Sequence, residues 1–169
     1  MKFITVNGGN KLSGKVRVDG MKNAALPVIF AAILTNDVCV IENIPNVSDI
    51  LLSFDILRLL GAKVVYSPTA NSAEIDVRPM NKTYATHDMV SRIRGSTYLI
   101  GALLGRFGES HVGLPGGCDF GTRPIDQHLK GFSALGADIS YDEGYVNVEA
   151  KTDFAVQGSI LICSRSERP

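Results

Sequence analysis

Cys118 lies in a glycine-rich segment, residues 114–124, that also contains Arg123. A cysteine that only fills a core usually has apolar neighbours, whereas three glycines stand within four residues of this one. The segment predicts an accessible thiol that a nearby cation would help to ionise. The alternative is a surface loop whose glycines form turns and whose cysteine has no role, and the local sequence leaves both interpretations open.

The end of this segment has the features of a helix start. Pro124 suits a first helical turn, and an apolar stripe follows at Ile125, Leu129, Phe132 and Leu135. The N–H groups of a helix start favour an anion, and the guanidinium of Arg123 suits phosphate or carboxylate. Asp119 opposes a thiolate, since it is a carboxylate beside the thiol. The pattern still predicts a reactive thiol near a phosphate site.

Two other cationic segments precede apolar helical runs. Lys22 and Asn23 come before the first run, and Arg92 and Arg94 before the second. A cation at a helix start is unfavourable, and a bound anion would remove the conflict. A solvated surface lysine is the alternative for Lys22.

The remaining cysteines and the histidines do not form a recognisable site. Cys39 and Cys163 follow strand-like apolar residues and predict buried structural positions. Three scattered cysteines give neither a disulfide framework nor zinc-ligand spacing. The histidines predict a helix start, a strand and a helix surface, at His87, His111 and His128 respectively.

The elements that must position these residues occur twice. Residues 30–34 lead to Pro45 as residues 100–104 lead to Pro115, 70 residues later. The Leu-Gly-Ala at 60–62 recurs at 135–137, now 75 residues later, so five residues are inserted in the second copy. The Cys118 segment is therefore an elaboration of one copy of a repeated unit.

Each unit predicts a helix, a strand, a second helix and two short strands, which is an α/β arrangement. The first helices, 23–34 and 88–104, are apolar almost all round and predict burial on every side. In the first unit the second helix is capped by Asn46 or Ser48 and ended by Gly61. In the second unit, strands at 137–141 and 145–149 are joined by a turn at 142–144. A further strand pair is predicted at 1–19.

Composition limits the function classes. The 169 residues are 45% hydrophobic, enough for a core, and 17 cations balance 17 anions without a run of like charge. A broad surface for nucleic acid or anionic lipid is therefore not expected. The longest apolar segment, 24–34, is shorter than the about 20 residues that span a bilayer. Without a signal-peptide pattern, we expect a cytoplasmic protein with no membrane span.

These motifs together closely resemble one family, the UDP-N-acetylglucosamine 1-carboxyvinyltransferases, which are enolpyruvyl transferases. The resemblance extends from Met1 to about Gly158. It is carried by Lys22-Asn23-Ala24-Ala25-Leu26-Pro27, Arg94, Pro115-Gly116-Gly117-Cys118 and Arg123-Pro124-Ile125-Asp126.

The resemblance implies transfer of the enolpyruvyl group of phosphoenolpyruvate to the 3-hydroxyl of UDP-N-acetylglucosamine, the first committed step of peptidoglycan synthesis. It implies no metal or organic cofactor. Cys118 would be the proton donor that forms a phosphoenolpyruvate adduct and reacts with fosfomycin. Lys22 and Asn23 would contact phosphoenolpyruvate and sugar, and Arg94 would bind substrate. The nucleotide site would be lined by Arg123, Pro124, Ile125, Asp126 and Gln127.

The family fold is an inside-out α/β barrel, with two domains of three repeats each and helices inside the sheets. By this resemblance the chain has two of the three repeats of one domain, about 20–80 and 88–150, within a partial domain at 20–163. Residues 1–19 would belong to the second, missing domain, and 164–169 diverge. We therefore expect a truncated chain that is inactive alone. A non-catalytic remnant with an anion site, or a transferase with another acceptor, is the alternative.

Overall fold

The computed structural model describes residues 3–114 and 125–151, and it confirms the predicted α/β class with two similar units. The first unit contains two α-helices and three strands. They are α1 (Lys22–Ala31, extended by a 3-10 turn at Ala32–Leu34), β1 (Val38–Ile41), α2 (Ser48–Leu59), β2 (Lys63–Ser67) and β3 (Ser72–Asp76).

The second unit contains the corresponding elements and three further ones before its long helix α4. They are β4 (Tyr84–Ala85), α3 (His87–Val90), a 3-10 turn (Arg94–Thr97), α4 (Tyr98–Phe107), β5 (Glu109–Gly113), α5 (Asp126–Ala134), β6 (Ala137–Asp142) and β7 (Tyr145–Ala150). Its strand boundaries agree closely with the predicted hairpin, whose turn places Glu143 and Gly144 at φ 43° and 86°.

Strand order confirms the repeat. The first sheet has the order β1-β3-β2 and the second β4-β5-β7-β6, so β5-β7-β6 repeats the antiparallel order of the first. The short β4 adds a parallel pairing to β5. In β3 and β7 alternate residues are buried, including Ile75 and Val148, because one face of each sheet packs on the helices.

The ends of the second helices were partly predictable. Gly61 and Gly136 follow α2 and α5 at φ 105° and 95°, a conformation that glycine adopts without strain. The predicted cap of α2 was wrong, since Val47 occupies the capping position without a side-chain hydrogen bond and Ser48 is already helical.

The first helix of the second unit is not continuous, which corrects the prediction of a helix over 88–104. It is divided into α3, the 3-10 turn and α4. The hydroxyl of Ser96 donates to the carbonyls of Val90 and Ile93 at 3.1 and 2.7 Å. A buried serine that bonds nearby carbonyls competes with the helical hydrogen-bond pattern, which accounts for the interruption.

The prediction that α1 is buried on every side was also wrong. Ile29 and Phe30 are fully buried, yet Val28 is 51% exposed and Leu34, in the 3-10 turn that follows, is 56% exposed. Helix α1 packs against α2 and α4, and these two neighbours leave one side uncovered among the described residues.

Residues 3–20 contain neither helix nor strand, and residues 3–19 are exposed. The strand pair predicted at 1–19 is therefore absent from 3–19 of this structure. Apolar side chains here, such as Phe3 and Val16, are 86% and 89% exposed, since no described strand edge pairs with this segment.

Candidate functional site

Lys22 and Asn23 are the first two residues of α1, and both are exposed. Met21 precedes them in an extended conformation, without a side-chain cap for the helix. The first N–H groups of α1 can therefore meet a ligand, as an anion at a helix start does. This is the environment that the sequence predicts for Lys22 and Asn23.

Pro27, inside α1, adds a feature that the sequence reasoning missed. Proline has no N–H group, so it cannot donate to the carbonyl four residues earlier, which is that of Asn23. The Asn23 carbonyl is left without its intrahelical partner.

A close backbone contact fixes the position of the start of α1. A Cβ atom on Gly20 would lie 1.8 Å from the carbonyl oxygen of Asn43, so only glycine fits there. Asn43 belongs to the connection from β1 to α2 and has a φ of 56°. The chain entering α1 and the chain entering α2 are therefore pressed together.

Lys22 forms an ion pair with Asp49, the second residue of α2. Its Nζ lies 2.6 Å from the Asp49 Oδ2, and the two side chains are 45% and 31% exposed. The sequence reasoning did not select Asp49. An acidic residue in a first helical turn is common, and nothing in a spacing of 27 residues indicates this partner.

Arg94 begins the 3-10 turn and is exposed. Gly95 beside it lies against Leu26 of α1, since an added Cβ would be 2.9 Å from the Leu26 Cδ1. Leu26 is about one helical turn beyond Lys22. The structure thus brings the Arg94 segment against the helix that carries Lys22 and Asn23.

Cys118, Arg123 and Pro124 lie outside the described residues, and the structure describes the segments on either side. The Leu114 N–H donates to the Gly144 carbonyl at 2.9 Å. A Cβ on Gly113 would lie 2.7 Å from the His87 Cα, so this approach also requires glycine. The chain therefore enters the cysteine segment from a fixed point on the second sheet.

On the other side of that segment, Ile125 is 8% exposed and precedes α5. Asp126 and Gln127 are the first two residues of α5 and are exposed. Asp126 accepts a hydrogen bond from the Gln127 Nε2 at 3.0 Å and pairs with Lys130 at 3.8 Å. No hydrogen bond joins Asp126 or Gln127 to Lys22, Asn23 or Arg94 in the described part of the chain.

The histidines take the predicted positions, in α3, β5 and an exposed part of α5. Cys39 lies in β1 as predicted but is only partly buried, with its Sγ 3.4 Å from the Thr35 Oγ1. Within residues 3–114 and 125–151, no group of three His, Cys, Asp or Glu side chains could hold a metal. No helix in these ranges is long and apolar enough to cross a membrane.

Polar side chains also line a pocket on the second sheet. The rings of Tyr84 and Tyr145 stack at 5.2 Å, and the hydrogen bond that the Tyr84 hydroxyl donates to Tyr145 raises the pKa of Tyr84. The His111 Nδ1 lies 3.1 Å from the Asn147 Oδ1. These side chains partner one another, so we assign no site there.

Comparison with a solved structure supports the fold. The chain is similar to the enolpyruvyl transferase NikO from Streptomyces tendae, with a TM-score of 0.71 and 28% sequence identity. The similarity covers 85% of this chain and 31% of NikO.

Curated relatives are more similar in sequence. Proteins named UDP-N-acetylglucosamine 1-carboxyvinyltransferase from Trichlorobacter lovleyi and Campylobacter hominis are each 46% identical over 151 residues, 89% of this chain. The protein of that name from Escherichia coli O1:K1 is 41% identical over 165 residues, 98% of this chain. The chain spans 36–38% of the length of these relatives.

The family model for EPSP synthase (3-phosphoshikimate 1-carboxyvinyltransferase) matches residues 6–163, which includes both units and continues past Gly158. The match covers the start of α1, the Arg94 turn and the Cys118 segment, which are the places where the residues suited to anion chemistry occur. The chain belongs to the EPSP synthase family.

Proposed function

We propose that the protein represented by this chain transfers the enolpyruvyl group of phosphoenolpyruvate to the 3-hydroxyl of UDP-N-acetylglucosamine. The observation that carries the proposal is the 41–46% identity, over most of this chain, to relatives with that named activity. The exposed cation at the uncapped start of α1 supports it, because both substrates carry phosphate. A cytoplasmic location accompanies this function as a prediction.

In the proposed reaction, addition precedes elimination. The sugar 3-hydroxyl loses its proton as O3 bonds to C2 of phosphoenolpyruvate, and the electrons of the C2–C3 double bond take up a proton at C3, for which Cys118 is the proposed donor. Loss of a proton from C3 then breaks the bond between C2 and the phosphate oxygen, and inorganic phosphate leaves. Cations near this oxygen stabilise the charge that develops on it.

The candidate residues have separate proposed roles. Lys22 and the N–H groups at the start of α1 bind the phosphate of phosphoenolpyruvate, and Arg94 binds substrate beside them. Asn23, exposed beside Lys22, contacts phosphoenolpyruvate and the sugar in this proposal. The nucleotide is bound around the start of α5, by Arg123, Pro124, Ile125, Asp126 and Gln127.

The chain spans little more than a third of its relatives, so we expect the 169 residues alone to bind substrate without turnover. The proposed second domain would close over the start of α1 and exclude water. A related transferase with a different acceptor is the second candidate, because the matching family model is named for 3-phosphoshikimate 1-carboxyvinyltransferase and NikO is named as an enolpyruvyl transferase. The higher identity of the curated relatives favours the sugar nucleotide.

The first experiment measures binding and labelling. Titration with UDP-N-acetylglucosamine tests the acceptor, and mass spectrometry after fosfomycin treatment tests Cys118. We expect a single adduct that maps to Cys118 and is absent from a Cys118→Ser chain, with Cys39 as the internal control because it is partly buried in β1. Labelling of Cys39 to the same extent, or failure to bind the sugar nucleotide, would argue against the proposal.

A second experiment measures phosphate release from phosphoenolpyruvate in the presence of UDP-N-acetylglucosamine. We expect no release above the level of the Cys118→Ser chain. Sustained turnover by the 169 residues would contradict the expected inactivity, although it would support the proposed reaction.

A further inference from the structure

The position of Lys22 presents an electrostatic problem. It is the first residue of α1, where the helix dipole and the N–H groups repel a cation. Its side chain is a flexible stem of four carbons, and without a partner the ammonium group would extend into solvent. A lysine in this place does not by itself form a defined anion site.

Asp49, which lies on another helix, is the partner of Lys22. It lies in the first turn of α2, where the dipole of that helix stabilises a carboxylate. Its Oδ2 holds the Lys22 Nζ at 2.6 Å. Because Gly20 is in backbone contact with Asn43, both helix entries are fixed, and the position of the ammonium depends on the tertiary fold.

The pair remains open to a ligand. Lys22 and Asp49 keep 45% and 31% of their side-chain surface exposed. An ammonium group has three donors, and Asp49 uses one of them, which leaves two for an anion. A phosphate at this point would meet the ammonium and the N–H groups of α1 together.

We propose that Asp49 is a positioning residue that holds the Lys22 ammonium at the uncapped start of α1 for the phosphate of phosphoenolpyruvate. This inference rests on the proposed function and extends it to a residue that does not itself contact substrate. The competing interpretation is that Asp49 only neutralises Lys22, in which case its removal would strengthen anion binding.

The test titrates the 169-residue chain with phosphoenolpyruvate and follows the Lys22 Nζ by NMR, with its signal assigned from a Lys22→Arg chain. Without ligand, Asp49→Ala should shift the Nζ signal, and Asp49→Glu should largely restore it. With ligand, Asp49→Ala should weaken binding by about fivefold, the scale of a partly exposed ion pair. Asp49→Glu should recover most of that loss.

Asp55→Ala is the matched control, because it removes an exposed carboxylate from the same helix, where Asp55 pairs with Arg58. It should change neither the Nζ signal nor the affinity. If Asp49 had only a structural role, its removal would change the circular dichroism spectrum. In Asp49→Ala we therefore expect the Nζ signal and the affinity to change together while the circular dichroism spectrum stays the same.

Three outcomes would overturn the inference. An unchanged Nζ signal in Asp49→Ala would show that the ion pair does not hold Lys22. Unchanged or tighter binding by this variant would show that positioning has no effect on the ligand. Failure of the unsubstituted chain to bind phosphoenolpyruvate would contradict the proposed function as well. This outcome is distinguished from the other two because the unsubstituted chain is titrated before any variant.

Discussion

The guanidinium of Arg106 in α4 donates a hydrogen bond of 3.0 Å to the carbonyl of Val77, the residue that follows β3. The same side chain donates to the carbonyl of Ile33 at 2.9 Å and to that of Thr35. One arginine of the second unit therefore closes the end of the α1 segment and the end of β3 in the first. It joins the two units at a point where the first helix leaves carbonyls unpaired.

Replacement of Arg106 by lysine should destabilise the chain by about 2–3 kcal/mol, because an ammonium cannot reproduce the planar fork and leaves partly buried carbonyls unpaired. Urea unfolding followed by circular dichroism measures the change. Arg58→Lys is the control, since Arg58 is exposed and should contribute less than about 1 kcal/mol. Equal effects of the two substitutions would contradict the role of Arg106.

Gly20→Ala should damage both stability and the proposed phosphate site. The added Cβ would meet the Asn43 carbonyl oxygen at 1.8 Å, a backbone atom that cannot move aside cheaply. Overpacking of this kind costs roughly 1–3 kcal/mol. We expect a lower thermal midpoint and a shifted Lys22 Nζ signal. Gly8→Ala, where the new Cβ has open space, is the control and should leave both unchanged.

Two adjacent residues of α1 test which face of that helix is covered. Ile29→Ala should cost about 2–5 kcal/mol, because Ile29 is fully buried. Val28→Ala should change the free energy of unfolding by less than about 0.5 kcal/mol, because Val28 is half exposed and alanine favours helix. A large loss in Val28→Ala would show that this face is covered in solution.

Asp76 should make the stability depend on pH in the acid range. Hydrogen bonds from Arg78 lower the pKa of Asp76 from 3.8 to about 2. A depressed folded-state pKa contributes stability that is fully present above the unfolded value and is lost as the pH falls towards the folded value. The contribution should therefore disappear between about pH 4 and pH 2.

In Arg78→Ala this contribution is already missing, so its thermal midpoint should fall less steeply than that of the unsubstituted chain from pH 4 to pH 2. Asp76→Asn should flatten the profile in the same way, and the double variant should be no flatter than either. An unchanged slope in both single variants would show that the Asp76–Arg78 pair does not couple to folding.

Much of the architecture was predictable from local patterns. The Leu-Gly-Ala sequences at 60–62 and 135–137 indicated the ends of α2 and α5, and the Glu143-Gly144 turn indicated the final hairpin. These features depend on helical periodicity and on backbone conformations that suit glycine, which act between neighbouring residues. The interruption before α4 was not predicted, because it depends on how the Ser96 hydroxyl bonds once that serine is buried.

Some features of the candidate site were likewise predictable from the sequence, and others depended on the tertiary structure. The sequence by itself determined the α/β class, the duplicated unit and the residues suited to anion chemistry, Lys22, Asn23 and Arg94 among them. Only the tertiary structure decided that Asp49 pairs with Lys22 and that Arg106 joins the units, because these contacts connect residues far apart in the chain. The tertiary structure also decided which side of α1 is buried. Hydrophobic periodicity shows which faces of a helix can be buried, but packing determines which neighbouring elements bury them.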